Sequence, residues 1–365
     1  MIYDVAIAGA GMVGLSTAYQ ILNAFPDVKL VVLEKEEQVA HHQTGHNSGV
    51  LHSGIYYKPG SYKAKNCLSG YQMLIQFCDA HQIEYRLIGK LIVATEPEQL
   101  PKLEQIHQNG IQNGLQGLQV LSAGAVREIE PAVRCLQAIS VPQAGIIDYR
   151  MVASKLRVVI EKKGAVVWTG KKLEKIHQVD QGIRLQCADG SVVETKFFIN
   201  CGGLQSDRIA RMAGLKTNFR IIPFKGNYFR LQASKKDIVQ RLIYPVPDPR
   251  FPFLGIHYTR LINGDQTLGP NAVLSLDREG YRSGAFNQQD AWDILSFPGF
   301  WKLIARHWRT GMGEYLRNFS PAYFAKKASE MTPGIRSEDL EPAGSGIRAQ
   351  VVDDQGQMIE DFLSL

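Results

Sequence analysis

A glycine-rich turn between a strand and a helix, within the first forty residues, constrains the fold most. Tyr3 to Ala8 is a short apolar run that predicts a buried strand, and the motif GAGMVG follows it directly at positions 9–14. Leu15 to Phe25 has apolar residues at helical spacing, and Val28 to Leu33 predicts a second strand that ends at Glu34. This order of strand, GxGxxG, helix, strand and acid is typical of a βαβ unit that binds a dinucleotide.

Each glycine of the motif has its own physical task. Gly9 permits the tight turn, Gly11 lets the backbone approach a pyrophosphate, and Gly14 allows the helix to pack closely on the strand. The free amides and the positive dipole end of the helix attract phosphate. Glu34 can accept hydrogen bonds from an adenosine ribose and would repel the 2′-phosphate of NADP. The motif therefore predicts a dinucleotide site, with NAD and FAD as the alternatives.

Length, charge and cysteine content exclude several other classes of protein. At roughly 150 residues per domain, 365 residues predict about two domains. The net charge of +6 comes without a long basic block, so binding of nucleic acid is not expected. The five cysteines are widely spaced and include no CxxC pair, which argues against a disulfide framework or a zinc ribbon and favours a reducing compartment.

Two segments bear on membrane association. Val5 to Pro26 is a run of 22 uncharged residues, but Asp4 precedes it and glycines interrupt it, so neither a signal peptide nor a membrane span is predicted. A cytoplasmic location is expected. Segment 287–330 is helical and aromatic, and packing within the protein or peripheral contact with an anionic inner membrane are both open for it. Its basic residues include Lys302, Arg306, Arg309 and Arg317.

A polar segment from His41 to Gly60 follows the βαβ unit. His42 and His46 have the i, i+4 spacing of some metal ligands, but Gly45 and Gly49 interrupt such a helix. No nearby acid or cysteine completes a ligand set, so no metal site is predicted.

Two alternatives remain for the polar segment. It is either a solvated loop or a loop that doubles back over the pyrophosphate and brings the chain to a flavin ring. The small and amide side chains of Thr44, Asn47 and Ser48 favour the second alternative, because they allow close hydrogen bonds to a cofactor.

The run GHNSGVLHSGIYYKPGS from Gly45 to Ser61, followed by Lys63-Ala64-Lys65, resembles the L-2-hydroxyglutarate dehydrogenase/oxidase family. That family belongs to the glycine oxidase and D-amino acid oxidase group of FAD proteins, and the resemblance covers nearly the whole chain. It implies an α/β, Rossmann-like FAD-binding domain and an α+β substrate domain with a mostly antiparallel sheet. It also implies oxidation of L-2-hydroxyglutarate to 2-oxoglutarate, with electrons passed from FAD to a quinone or O2.

The resemblance also implies a discontinuous domain arrangement. The FAD-binding domain would comprise 1–80, 151–215 and 340–365, and the substrate domain, which covers the flavin, would comprise 81–150 and 216–339. Members of the family continue past the segment that corresponds to Asp361-Phe362 with a strand, a turn and a helix that faces the flavin. This chain stops at Leu365, so weaker FAD binding and an inactive flavin-binding remnant are among the expectations.

Residue roles follow from the same resemblance. The residues expected to contact FAD are Gly9, Gly11, Met12, Val13, Gly14, Glu34, Lys35, Thr44, Gly45, Asn47, Ser48, Gly49, Val50, Leu51, Leu173, Cys201 and Gly202. Among these, Cys201 is expected to be a small apolar filler rather than a redox thiol. A histidine suits the base that takes the hydroxyl proton, and His52 is the first candidate and His257 the second.

The two carboxylates of the substrate need cationic or hydroxyl partners. The candidates by position in matching motifs are Tyr56, Lys225, Tyr228, Tyr258 and Arg260. Alternation along a strand places Tyr258 and Arg260 on the face opposite His257, and a surface ion pair is the alternative for Arg260. An amine or amino-acid oxidase of the same fold and a nicotinamide dehydrogenase are the alternative enzymes.

Two local signals complete the sequence analysis. Asp148 precedes a helical pattern from Tyr149 to Lys163 and is expected to be its N-cap. Asn263-Gly264-Asp265 predicts the turn of a hairpin between two strands of the substrate domain.

Overall fold

The computed structural model of the chain describes residues 2–248, 254–315 and 320–361, without the side chains of 307–315. Its strands are β1 Ile2–Ala8, β2 Leu30–Leu33, β3 Val50–Leu51, β4 Tyr85–Arg86, β5 Lys90–Ala94, β6 Gln119–Ser122, β7 Gln137–Val141, β8 Gly145–Ile147, β9 Val166–Trp168, β10 Leu173–Val179, β11 Gly182–Cys187, β12 Val192–Asn200, β13 Phe219–Leu231, β14 Leu242–Pro245, β15 His257–Arg260, β16 Gln266–Gly269, β17 Val273–Leu274 and β18 Leu340–Asp353. Its α-helices are α1 Met12–Ala24, α2 Tyr62–His81, α3 Leu100–Gln112, α4 Ala123–Ile129, α5 Tyr149–Lys162, α6 Ser206–Met212, α7 Gln288–Leu295, α8 Pro298–Tyr315 and α9 Pro321–Met331. Short 3-10 turns lie at Gln43–Gly45, Pro97–Gln99, Gly203–Gln205 and Ser337–Asp339.

A six-stranded sheet contains the βαβ unit. Its strand order is β10-β11-β12-β1-β2-β9, and β1 pairs in parallel with both β2 and β12. The helix α1 begins at Met12, three residues before the apolar pattern, because Gly11 is its N-cap. The apolar faces of α1 and α5 pack in one core cluster with β1 and β2, through residues that include Leu15, Leu22 and Leu156. The predicted strand, turn, helix and strand are therefore present.

The second main sheet of the fold is larger and mostly antiparallel. Its order is β17-β13-β16-β15-β14-β5-β7-β6, and β18 pairs with β13 from Leu340 to Asp353. β18 falls within the segment 340–365 that was predicted to belong to the FAD-binding domain, and its backbone groups pair with β13 of the larger sheet. The domain division stays a prediction, and residues 362–365 lie outside the described part of the chain.

A three-stranded sheet of β3, β8 and β4 includes part of the polar segment. Val50 pairs with Ile146 and Leu51 with Gly145, so the middle of the polar segment is a paired strand. This pairing fixes the backbone just before His52.

The two local sequence signals are both observed. The Asp148 carboxylate accepts a hydrogen bond from the Arg150 amide at 2.8 Å, so it caps α5. β15 and β16 form an antiparallel hairpin, and the Asn263 side chain accepts from the Asp265 amide at 3.1 Å within its turn.

Segment 287–330 contributes α7, α8 and α9. Lys302 donates to the Asp354 carbonyl at 2.9 Å and Arg306 to the Gly356 carbonyl at 3.3 Å, so both pack against the turn after β18. The side chain of Arg309 and all of Arg317 lie outside the described residues. Among the helices that are described, none has the length and apolar character needed to cross a membrane. Peripheral membrane contact stays a prediction.

Candidate active site

The glycine turn after β1 has the close packing that its motif predicts. Gly9 has φ +101°, and a Cβ there would lie 2.4 Å from the Cys201 carbonyl oxygen. A Cβ at Gly14 would lie 1.9 Å from the Gly9 carbonyl oxygen, so α1 contacts the turn backbone directly. At Gly11 a Cβ would approach only the Thr44 hydroxyl, at 3.3 Å. Gly9 and Gly14 therefore allow backbone segments to pack closely on each other. Gly11 leaves space beside the turn backbone that a ligand can approach.

A cavity of about 920 Å³ opens at this turn. It is lined by residues from the turn, the end of β2, the polar segment, β10 and the end of β12. Of the residues expected to contact FAD, those on its wall are Gly9, Gly11, Met12, Val13, Glu34, Lys35, Thr44, Asn47, Leu173, Cys201 and Gly202. Burial raises the pKa of the Cys201 thiol, which keeps it protonated, as a small filler would be.

Glu34 and Thr44 organise the backbone around this cavity. The Glu34 carboxylate accepts from the Ala10 amide at 2.8 Å and from the Glu36 amide at 3.0 Å. The Thr44 hydroxyl accepts from the Met12 amide at 2.9 Å, so the polar segment is fastened to the first turn of α1.

The remaining residues expected to contact FAD lie behind the cavity wall. Val50 and Leu51 are buried in core clusters, which leaves only their backbone groups for a cofactor. A Cβ at Gly45 would lie 2.4 Å from the Ala40 carbonyl oxygen, and one at Gly49 would lie 2.9 Å from the Ile147 carbonyl oxygen. Gly14 and Ser48 also lie off the wall of this cavity.

The cavity fits FAD by its volume and by the chemistry of its wall. Its volume is at the upper end of the range for small-molecule sites. The N-terminus of α1, capped by Gly11 without a side-chain hydrogen bond, supplies positive potential for a pyrophosphate. Glu34 at the end of β2 supplies the carboxylate for a ribose.

Lys35, Glu36, His42 and Glu279 form an ionic cluster at the cavity wall. Glu36, His42 and Glu279 bring three potential metal-ligand atoms within 4.8 Å of one another. The Lys35 ammonium lies 2.9 Å from a Glu279 oxygen and also contacts Glu36, so a lysine already balances the carboxylates. Burial raises the pKa of Glu36, but hydrogen bonds from Lys35 and His42 outweigh it and lower that pKa to about 2. The two carboxylates, Glu36 and Glu279, are therefore ionised and paired within the cluster.

A buried ion-pair network lies beside the same cavity. The guanidinium of Arg278, which is fully buried, donates to both oxygens of Asp207, at 2.5 and 3.0 Å. It also donates to Asp293 at 2.9 Å and to the carbonyl of Leu204, a cavity residue, at 2.6 Å. Arg278 thus joins the loop before α7 to the segment after β12.

A second group of polar residues lies on one face of the larger sheet. Lys90 on β5 is the register partner of Leu242 on β14, so Tyr244, two residues later, shares its face. Ile243 is opposite Tyr258, which places Tyr244 beside His257, with ring centroids 3.9 Å apart. The opposite face packs in a hydrophobic core that includes Leu91, Ile243 and Tyr258. Lys90, Tyr244 and His257 thus lie together on the face that points away from this core.

The same face continues to β13. His257 is opposite Gly269, and Phe229 is opposite Leu268, so Tyr228 lies beside Gly269. A Cβ at Gly269 would lie 3.1 Å from the Tyr228 ring, so the missing side chain makes room for this tyrosine. Tyr228 lies within electrostatic range of Arg348 on β18.

His52 approaches this face from the loop after β3. Burial, and then the charges of Lys90 and His257, lower the pKa of His52 to about 3. His52 is nevertheless exposed. Exposure combined with strong desolvation indicates that the side chain faces an internal recess rather than bulk water. Its imidazole is neutral at neutral pH.

His257 has a defined tautomer. Its Nδ1 lies 2.9 Å from the Gly255 carbonyl oxygen, an acceptor, so Nδ1 carries the proton and Nε2 keeps its lone pair. Burial, partly opposed by this hydrogen bond, and the nearby charges of Lys90 and Arg348 lower the pKa of His257 to about 3. Both candidate bases are therefore neutral at neutral pH, and they lie within electrostatic range of each other.

Tyr56 lies near the polar residues on this face of the larger sheet. Lys90 lies there as well, although it was not among the residues predicted from the sequence. The Lys90 ammonium lies 4.1 Å from the centroid of the Tyr244 ring and 5.5 Å from that of Tyr56. The Tyr56 hydroxyl is buried and has no hydrogen-bond partner within the described ranges. Lys90 begins an apolar strand, and only the pairing of β5 with β14 reveals where its side chain lies.

Three of the five candidate carboxylate partners lie elsewhere in the structure. Tyr258 faces the apolar side of the sheet, where its hydroxyl pairs with Thr332 in the core. Arg260 donates to Asp237 at 3.0 Å and to Gln240, so it forms the surface ion pair of the alternative interpretation. Lys225 donates to the carbonyls of Gly280 and Arg282, at 2.9 and 2.6 Å, and holds that loop in place.

Sequence comparison places these features among known proteins. The family model "FAD dependent oxidoreductase" matches residues 4–362. The L-2-hydroxyglutarate dehydrogenase of Indibacter alkaliphilus is 44% identical over 99% of this chain and 91% of its own length. The mitochondrial L-2-hydroxyglutarate dehydrogenase of Caenorhabditis elegans is 41% identical, over 99% of this chain and 84% of its own length. The L-2-hydroxyglutarate dehydrogenase of Escherichia coli K12 is 39% identical, over 99% of this chain and 85% of its own length.

Solved structures share the fold at lower identity. The FAD-bound L-alpha-glycerophosphate oxidase of Mycoplasma pneumoniae superposes with a TM-score of 0.77 at 21% identity, over 96% of this chain and 84% of that one. Glycine oxidase of Geobacillus kaustophilus gives a TM-score of 0.71 at 17% identity, over 97% and 84%. The expected fold class is confirmed by these matches. The chain belongs to the FAD dependent oxidoreductase family and, within it, to the L-2-hydroxyglutarate dehydrogenases.

Proposed function

We propose that this chain oxidises L-2-hydroxyglutarate to 2-oxoglutarate with FAD, and that His52 takes the proton of the substrate hydroxyl. The observation that carries the proposal is the position of two neutral imidazoles, His52 and His257. Lys90 lies within electrostatic range of both, and Arg348 lies within range of His257. The relatives at 39–44% identity are named for this substrate. The arrangement suits a dicarboxylate that must lose a hydroxyl proton.

Bound FAD would accept the hydride from C2 of the substrate. The remaining proton needs a base that is unprotonated at neutral pH and accessible to the substrate. His52 meets both conditions, because its pKa is lowered and its side chain is exposed to the recess. His257 is buried in the wall, and Nε2 can accept a hydrogen bond there. We therefore assign proton transfer to His52 and substrate orientation to His257.

The carboxylates of the substrate need donors on the same face. Arg348 and Tyr228 lie on adjacent strands within electrostatic range of each other, and burial lowers the pKa of Arg348. A guanidinium can bind a carboxylate through two parallel hydrogen bonds. We assign one substrate carboxylate to Arg348, with Tyr228 as a neighbouring hydroxyl donor.

The proposal also includes a division of labour between the two large sheets. The six-stranded sheet and its helices would hold FAD, and the larger sheet would form the substrate side. The loop that begins at the Thr44 contact with α1 and ends at His52 would join them.

A visible spectrum of the purified chain tests the function directly. We expect flavin absorbance that bleaches when L-2-hydroxyglutarate is added without oxygen, and no bleaching with the D enantiomer. Stoichiometric 2-oxoglutarate should accompany the bleaching. A His52→Gln variant should keep its flavin but bleach about 10²–10⁴-fold more slowly, the usual contribution of a general base.

Other outcomes would contradict the proposal in distinct ways. Bleaching by an amine or amino acid with release of ammonia would assign an amine oxidase of the same fold. Bound flavin that no substrate bleaches would indicate a binding protein without turnover. Reoxidation by O2, compared with reoxidation by a soluble quinone, then identifies the electron acceptor.

A further inference from the structure

Lys90 is a buried cation without an anionic partner in the described residues. Its side chain is 1% exposed, and no carboxylate or carbonyl oxygen of that part of the chain lies within hydrogen-bond distance of its ammonium. By contrast, the other buried lysine, Lys225, donates to two carbonyl oxygens. Burying an ammonium is unfavourable unless something compensates it, so this exception requires a reason.

The groups that face Lys90 supply only partial compensation. Tyr244 from β14 and Tyr56 from the loop after β3 turn their rings toward the ammonium, at 4.1 and 5.5 Å. His52 and His257 lie within electrostatic range, and each has its pKa lowered by Lys90.

Two further groups complete the surroundings. Burial raises the pKa of the Cys67 thiol on α2, so this nearby group is neutral as well. Arg348 on β18 lies within range of His257 and adds positive charge. Among the described residues, none of the groups named here places a carboxylate beside the Lys90 ammonium.

We propose that Lys90 is a substrate-binding residue whose ammonium pairs with one carboxylate of the 2-hydroxy dicarboxylate. The proposal rests on the proposed function. A dicarboxylate would bring the missing negative charge, and the aromatic rings would hold the ammonium in place until then. Because Arg348 is separated from Lys90 by Tyr244 and His257, the two cations can take the two ends of one substrate, which selects dicarboxylates over monocarboxylates.

The pairing has a pH signature of definite sign. Burial lowers the pKa of Lys90 to about 7, so the free protein loses the ammonium as pH rises through 7. A carboxylate stabilises the ammonium form, so binding takes up a proton above that pH. The affinity for a dicarboxylate should therefore fall about tenfold per pH unit well above pH 7, since one proton is coupled to binding.

The test measures binding of glutarate, a dicarboxylate that has no hydroxyl to oxidise, to the FAD-loaded protein by titration calorimetry. Lys90→Met keeps the length of the side chain and removes its charge. We expect it to weaken glutarate binding about 30-fold or more, the loss seen when one partner of a buried charge pair is removed. The pH dependence above 7 should disappear with it. Lys196→Met, at an exposed lysine paired with Asp4, is the control and should bind as the wild type does.

The variant is expected to fold, because it removes an uncompensated buried charge, and its melting temperature and flavin content should equal or exceed those of the wild type. Lys90→Gln provides a second variant of different polarity with the same expected loss. In turnover, the loss should appear mainly in KM for L-2-hydroxyglutarate.

Two results would overturn the inference. One is unchanged glutarate affinity and pH dependence in both Lys90 variants, and the other is a wild-type protein that binds no glutarate. Either result can occur while L-2-hydroxyglutarate still bleaches the flavin, so the proposed function would stand. If instead glutarate binds through Lys90 but L-2-hydroxyglutarate leaves the flavin oxidised, the proposed function fails, and Lys90 is left as a dicarboxylate-binding residue without that substrate.

Discussion

Replacement of Arg278 by Met should destabilise the protein far more than the loss of an ordinary ion pair. Arg278 and the Asp207 carboxylate are both fully buried and share two hydrogen bonds. Met fills much of the same space but leaves Asp207 charged in the interior. Its remaining partners are the Arg208 and Ile221 amides and, at 3.6 Å, the Arg211 guanidinium.

The size of the effect follows from the burial. Breaking a buried pair by removing one partner costs about 3–5 kcal/mol. At about 2–4 °C per kcal/mol for units of 150–250 residues, the melting temperature should fall by about 6–20 °C. Arg184→Met is the matched control, since Arg184 and Glu194 are 51% and 37% exposed at a similar distance of 2.8 Å. That change should cost under about 1 kcal/mol.

A double-mutant cycle tests the reasoning. Thermal unfolding of Arg278→Met, Asp207→Asn and the double variant, followed by tryptophan fluorescence, gives the coupling between the two sites. We expect the loss in the double variant to be smaller than the sum of the single losses by about 1–3 kcal/mol. Strictly additive losses, or a decrease of under 2 °C for Arg278→Met, would refute the argument that the unpaired Asp207 charge is the cause.

Three further outcomes are expected. Gly14→Ala should abolish flavin absorbance in the purified protein, because the added methyl group would lie 1.9 Å from the Gly9 carbonyl oxygen. The control is Gly70→Ala in α2, where the space around the new methyl group is open. This variant should retain flavin, and its free energy of unfolding should rise by up to about 1 kcal/mol. Tyr258→Phe should lower the free energy of unfolding by about 1 kcal/mol, because the hydroxyl contact with Thr332 is lost. KM for L-2-hydroxyglutarate should stay unchanged. A large rise in KM would show that Tyr258 does contact the substrate. In steady-state assays, kcat/KM for L-2-hydroxyglutarate should fall as pH rises above 7, where Lys90 loses its proton, and a flat profile from pH 6 to 9 would contradict this assignment.

The parts of the fold that local physics controls were predictable from the sequence. Gly9 and Gly14 occupy positions where a side chain would collide with backbone, so their identity already indicates the turn. Asp148 caps α5 through its own neighbour, and the hairpin at Asn263 to Asp265 is closed by contacts two residues apart. Each of these signals depends only on residues adjacent in the chain.

The substrate side was predicted less well because it depends on strand pairing. Lys90 and Tyr244 are separated by more than 150 residues and meet only because β5 pairs with β14. Arg348 lies in a strand that the sequence analysis assigned to the other domain, and its neighbours come from β13. The alternation of side chains along a strand did indicate that Tyr258 faces away from His257. It did not show which of the two faces packs in the apolar core, so Tyr258 stayed among the candidate substrate-binding residues.

The strands of the larger sheet also fix the spacing between the side chains on its substrate face. Tyr244, His257, Gly269 and Tyr228 stand on four neighbouring strands, and backbone hydrogen bonds hold such strands about 4.8 Å apart. Loop motion cannot stretch that spacing. A longer or shorter diacid would therefore have to be accommodated by longer or shorter side chains at these positions. A change in the preferred substrate length should thus arise from side-chain substitutions rather than from movement of the backbone.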